Sequence, residues 1–109
     1  MTMDYETILP IELSARMKRG EQMTLIDVRE QMEYQIARIE GARLLPLSRF
    51  EEWAAKLNPE EEIIVMCHHG IRSAHVCSAL AEQGFKRMVN LAGGIDRWSR
   101  DVDSSVPVY

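Results

Sequence analysis

An α/β fold with a central, mostly parallel β-sheet flanked by helices is what the sequence predicts, on three observations. The strongly apolar runs are short. Segments with helical spacing lie between them. The runs are nearly continuous in apolar character rather than alternating, as expected of strands covered on both faces. Strand–helix alternation of this kind places helices on both sides of one sheet.

Each element has its own signal. "TLIDV" (24–28), "ARLLPL" (42–47), "EIIVMC" (62–67) and "RMVNLAGG" (87–94) read as four strands, the third being the clearest. Pro10 suits a first helical turn and Gly20 the position past a helix end, so residues 10–19 read as a helix. A short helix fits residues 30–36. Ser48 followed by Glu51 has the form of a capping box, and Leu47, Phe50, Ala54 and Leu57 repeat at helical spacing until Pro59. From Ser73, the apolar positions Val76, Cys77 and Leu80 mark a helix that ends at Gly84. A last helix spans residues 95–100.

Bulk properties narrow the functional classes. At 109 residues, 46% hydrophobic and 28% charged, the sequence reads as one ordinary domain over residues 1–109 with a core of its own. A net charge of −4 gives no electrostatic case for nucleic acid as a partner. The N-terminal stretch lacks a basic start followed by a long apolar core. The expectation is a cytoplasmic protein with no membrane partner. Its two cysteines, Cys67 and Cys77, are expected to be free thiols, because a helical Cys77 lies awkwardly far from Cys67 for a disulfide.

The chemistry concentrates in "VMCHHGIRSAHVCSAL" (65–80). Cys67 ends the clearest strand, and ligands of parallel sheets bind beyond the carboxyl ends of strands. The reactive form of cysteine is the thiolate. It gains from a helix N-terminus, where unpaired N–H groups point outward. Gly70 can take the left-handed conformation that turns successive amides inward, and Arg72 adds a full positive charge. A purely structural turn would need the glycine but not the arginine or the two histidines. Residues 67–73 therefore point to a reactive cysteine with an anionic substrate.

"CHHGIRS" (67–73) resembles the active-site loop of the rhodanese superfamily of sulfurtransferases. "LIDVRE" with "EY" (25–30, 33–34), "RIEGARLLPL" (38–47) and "LAGGIDRWSRDVDSSVPVY" (91–109) resemble three further blocks of that family, in its order. Arg38 stands where the family usually has histidine. The resemblance implies a rhodanese-like fold and a thiosulfate sulfurtransferase activity. Cys67 would be the nucleophile that carries a persulfide. Residues His68, His69, Gly70, Ile71, Arg72 and Ser73 would form the substrate-binding cradle. Arg72 would pair with the anionic donor, a small sulfur-containing anion, and the acceptor would be cyanide, a small thiol or a protein thiol. No cofactor is implied.

Two other functions fit parts of the pattern. Cysteine phosphatases and arsenate reductases of the C-x5-R type enclose five residues, whereas Cys67 and Arg72 enclose four. Non-catalytic rhodanese-like binding modules lack the cysteine that is present here. No metal site is expected, because Cys67, His68 and His69 are adjacent and neighbours rarely point at one ion. Cys77, Trp53 and Trp98 read as packing residues, and His75 as solvated. Asp27, Arg29 and Glu33 read as an ion-pair network beneath the loop.

Overall fold

Short runs rich in Ile, Val, Leu and Met form strands with two buried faces, and three such strands (24–27, 62–66 and 87–91) set the frame of the molecule. The computed structural model describes residues 4–109. In chain order the elements are β1 (Glu6–Ile8), α1 (Pro10–Lys18), β2 (Thr24–Asp27), α2 (Gln31–Ile36), β3 (Arg43–Leu44), α3 (Phe50–Ala54), β4 (Glu62–Met66), α4 (Ile71–Glu82), β5 (Arg87–Leu91) and α5 (Gly94–Asp101). A single turn of 3-10 helix, Leu47–Arg49, leads into α3. The sheet has the order β1-β5-β4-β2-β3, and every pairing is parallel.

Side chains alternate across the sheet, so two cores result. On one face Leu25, Ile64, Met66, Val89 and Leu91 pack with Leu13 of α1 and Ile95 and Trp98 of α5. On the other, Ile26, Ile63, Val65 and Met88 pack with Trp53 of α3 and Val76, Cys77 and Leu80 of α4. The same alternation carries Cys67, one residue beyond β4, onto the α4 side with Val65 and Ile63.

Several elements differ from the sequence-based expectation. The edge strand β1 was not expected: it has three residues, two of them exposed, and it is held by pairing with β5 and by Ile8, which is buried in the core of the α1 face. The second expected strand, 42–47, forms regular structure only at Arg43–Leu44. Pro46 has no N–H, and the chain pairs on irregularly through Leu45 N–H to the Asp27 carbonyl and Leu47 N–H to that of Val28. The fourth strand stops at Leu91. The Ser48–Glu51 capping box does not form: Ser48 lies in the 3-10 turn and its hydroxyl donates to Glu30 Oε1 at 2.6 Å. A distant carboxylate has displaced the local partner. The helix expected from Ser73 begins at Ile71, directly after Gly70.

The strand order positions the functional edge. From β2 the chain leaves through α2 towards β3, whereas from β4 it leaves through α4 towards β5 on the opposite side. In open α/β sheets ligands bind where the directions diverge, which here is beyond the carboxyl ends of β2 and β4.

Candidate functional site

The loop from Cys67 to Gly70 is shaped by contacts on both of its sides. Gly70 adopts φ 98°, a left-handed conformation that places it at the N-cap of α4. A Cβ there would lie 3.3 Å from the Gly93 nitrogen. On the outer side, Ile95 N–H donates to the Cys67 carbonyl at 2.9 Å and Asp96 N–H to the His68 carbonyl at 3.1 Å. The start of α5 thus holds two loop carbonyls. The approach is so close that a Cβ on Gly94 would sit 2.4 Å from the Cys67 oxygen.

With its carbonyls held by α5, the loop directs amides at sulfur. Gly70 N–H donates to Cys67 Sγ at 3.1 Å and Ser73 N–H at 3.4 Å. Ser73 Oγ lies 3.3 Å from the same sulfur. The Ser73 hydroxyl donates its one proton to Asn90 Oδ1 at 2.5 Å, and Asn90 Nδ2 donates to the Gly70 carbonyl at 3.2 Å. With that proton committed, the Cys67 thiol is the donor in its contact with Ser73. When the sulfur is anionic, the Ser73 hydroxyl can turn towards it as a third donor. Cys67 is 1% exposed, so the sulfur lies beneath the loop rather than on an open surface.

A second layer ties the helices to the strand ends. Arg29, wholly buried, forms an ion pair with Asp27 at 2.7 Å and also donates to the Ala37 carbonyl and the Tyr109 hydroxyl. The Tyr109 hydroxyl donates to Glu33, and Glu33 receives both terminal nitrogens of Arg72 at 2.8 and 2.9 Å. Asp27, Arg29, Tyr109, Glu33 and Arg72 therefore form one continuous network from β2 to α4. The Arg72 guanidinium, helped by bonds from Glu30 N–H and Tyr109, holds the Glu33 carboxyl down at about 2 against the burial that opposes it. The Arg72 guanidinium is in turn raised by Glu33.

The remaining expected residues are distributed around this centre. His68 lies between two rings. Tyr109 stacks on it with centroids 3.9 Å apart and planes 3° apart, and His69 stacks with centroids at 3.8 Å. Ile71 points outward and is 68% exposed. Cys77 is fully buried, and burial pushes its thiol up to about 12. Both cysteines are free. Trp53 and Trp98 pack in the two cores, and His75 is exposed. Sequence reasoning missed Asn90, Tyr109 and Asp96. Only Asn90 carried a local signal: an amide within an apolar strand must find buried partners.

Comparison with known proteins places the chain in a family. Residues 9–101 match the model of the rhodanese-like domain. Among curated proteins, the chain is 44% identical over 93 residues to the rhodanese-like/PpiC domain-containing protein 12, chloroplastic, of Arabidopsis thaliana, covering 82% of this chain and 31% of that protein. It is 34% identical over 96 residues to the thiosulfate sulfurtransferase GlpE of Coxiella burnetii, covering 88% and 89%. It is 36% identical over 105 residues to the probable adenylyltransferase/sulfurtransferase MoeZ of Mycobacterium tuberculosis, covering 94% and 27%. The chain thus spans about a third or less of the Arabidopsis and mycobacterial proteins. Among solved structures, a rhodanese-like domain protein from Staphylococcus aureus superimposes with a TM-score of 0.81 at 26% identity, covering 95% of this chain and 98% of that one. Among the described residues, no helix is long and apolar enough to cross a membrane.

Proposed function

We propose a sulfur-transfer function from a settled premise: the chain belongs to the rhodanese-like domain family. Within that family its relatives include proteins named as sulfurtransferases. The proposed reaction moves sulfane sulfur from a donor such as thiosulfate to a thiophilic acceptor by way of Cys67.

The observation that carries the proposal is the pair of amides, Gly70 N–H and Ser73 N–H, aimed at Cys67 Sγ. Backbone donors fixed before reaction stabilise charge with no reorganisation. In the first step the Cys67 thiolate attacks the outer sulfur of thiosulfate. The new S–S bond forms as the donor's S–S bond breaks, and sulfite leaves with the electron pair. Cys67 then holds a persulfide whose terminal sulfur is anionic. In the second step an acceptor nucleophile attacks that terminal sulfur, and the Cys67 thiolate departs. Cyanide would leave as thiocyanate; a small thiol or protein thiol would leave as a persulfide. Splitting one transfer into two displacements at one nucleophile is covalent catalysis.

The surrounding residues have supporting parts in this scheme. The Ser73 hydroxyl exchanges Asn90 for sulfur as negative charge develops. His68 and His69 line the approach. Arg72 contributes positive potential while Glu33 keeps its guanidinium in place. Because the sulfur is covered, entry of the donor requires residues 68–70 to move aside.

A paired assay tests the proposal. Thiocyanate formation from thiosulfate and cyanide is expected, with no turnover of a phosphate monoester under the same conditions. Phosphate release without sulfur transfer would replace this function with a phosphatase.

A further inference from the structure

At the mouth of the loop, one ring nitrogen each from His68 and His69 and one carboxylate oxygen from Asp96 lie within 4.8 Å of one another. Adjacency of the two histidines in sequence argued against a shared ion. The third group changes that argument, because it arrives from α5 on the opposite side of the loop. The Asp96 N–H to His68 carbonyl bond at 3.1 Å fixes the two backbones against each other.

The chemistry of the set is selective. Two imidazoles and a carboxylate suit a divalent ion of the zinc type, and three protein ligands leave a coordination position open. Ligands on a tetrahedral zinc with bonds of about 2.1 Å stand roughly 3.4 Å apart. His69 is exposed and Asp96 half-buried, so side-chain rotation can close the difference. His68 is already oriented: Nε2 lies 2.7 Å from the Tyr109 backbone oxygen, and its ring is clamped against the Tyr109 ring. In the tautomer that donates this bond, Nδ1 keeps its lone pair. Holding the second ring N–H on a carbonyl oxygen is what orients metal-bound histidines elsewhere. Asp96 now accepts from Arg100, at 3.1 Å from Nε, but Arg100 is 61% exposed and such a pair gives way readily. The Cys67 sulfur faces inward to the Gly70 and Ser73 amides and is not one of the ligands.

We propose that His68, His69 and Asp96 form a binding site for a zinc-type divalent cation spanning the mouth of the loop. An ion there would tie residues 68 and 69 to α5. Such an ion would hold two of the residues that donor entry needs to move, and its binding is tested without sulfur transfer.

The test is isothermal titration of the full chain carrying Cys67→Ser, which removes the competing thiol, with zinc ion alone. One equivalent is expected to bind saturably. Affinity is expected to fall at least tenfold in His69→Ala and in Asp96→Asn, to stay unchanged in His75→Ala, and to hold or rise in Arg100→Ala, which frees Asp96. His69→Gln, a second exposed substitution, should match His69→Ala, and thermal melts confirm that each variant is folded. Absence of saturable binding would overturn the proposal. So would full affinity in either His69→Ala or Asp96→Asn, or loss of binding in His75→Ala or Arg100→Ala.

Discussion

Glu33 of α2 grips both terminal nitrogens of Arg72 of α4, joining the two helices that diverge from the centre of the sheet. Arg72, which the sequence assigns to pairing with an anionic donor, is also the end of a network that begins at Asp27. This changes what substitutions near the loop should do.

The first expectation concerns acid. Glu33 has its carboxyl lowered from 4.5 to about 2 in the folded chain. A group lowered on folding contributes stability above its unfolded value and loses it as pH falls towards the folded value. Wild type should therefore lose this contribution between about pH 4.5 and 2. Glu33→Gln should cost about 1 kcal/mol at pH 7, less than a fully buried charged bond because Arg72 is partly exposed. The gap between the two proteins, measured by urea unfolding, should narrow only below about pH 4.5. A gap that widens in acid would contradict the assignment.

Gly94 should be the least replaceable glycine of the chain's functional edge. A Cβ there meets the Cys67 carbonyl at 2.4 Å, and φ is 59°. Gly94→Ala should cost more than the roughly 1–2 kcal/mol of a left-handed residue alone and should impair sulfur transfer. Gly84→Ala is the control: φ is 99° but nothing lies within 4 Å, so only the backbone penalty applies. Equal melting temperatures for the two variants would show that the α5–loop contact is slack.

Asn90 holds both the Ser73 hydroxyl and the Gly70 carbonyl. Asn90→Ala should cost about 1–3 kcal/mol, since it leaves buried polar groups unpaired. Asn90→Asp should be the more damaging for catalysis, because it places a carboxylate beneath the site where anionic charge develops. Transfer rates in Asn90→Asp equal to those of Asn90→Ala would argue that this charge is not felt.

The two thiols should differ in reactivity. Burial pushes Cys77 up to about 12 and locks it in the α4 core, whereas Cys67 is separated from solvent by a short loop. Peptide mapping after iodoacetamide treatment at pH 7.5 should find Cys67 modified in the native protein and Cys77 only after denaturation. Modification of Cys77 first would reverse these environments.

What the sequence disclosed follows from the range of each interaction. Continuous apolar runs announced β2, β4 and β5 because burial on two faces is written locally. Pro10 and Gly20 marked the ends of α1 for the same reason. β1 escaped notice because three residues, two of them exposed, carry no pattern until β5 is beside them. Ser48 misled because its partner is Glu30, not Glu51. At the site, Cys67, Gly70 and Ser73 are close in sequence and could be read together. Tyr109 reaches Arg29, Glu33 and His68 only through the fold, and Asp96 reaches the histidines only because α5 starts against the loop.

Intact-mass spectrometry after exposure to thiosulfate, with peptide mapping, tests the central claim most directly. A gain of one sulfur atom, about 32 Da, located on Cys67, absent in a folded Cys67→Ser variant and discharged by cyanide, is the expected result. A chain that gains no mass, or gains it on Cys77, would contradict sulfur transfer through Cys67.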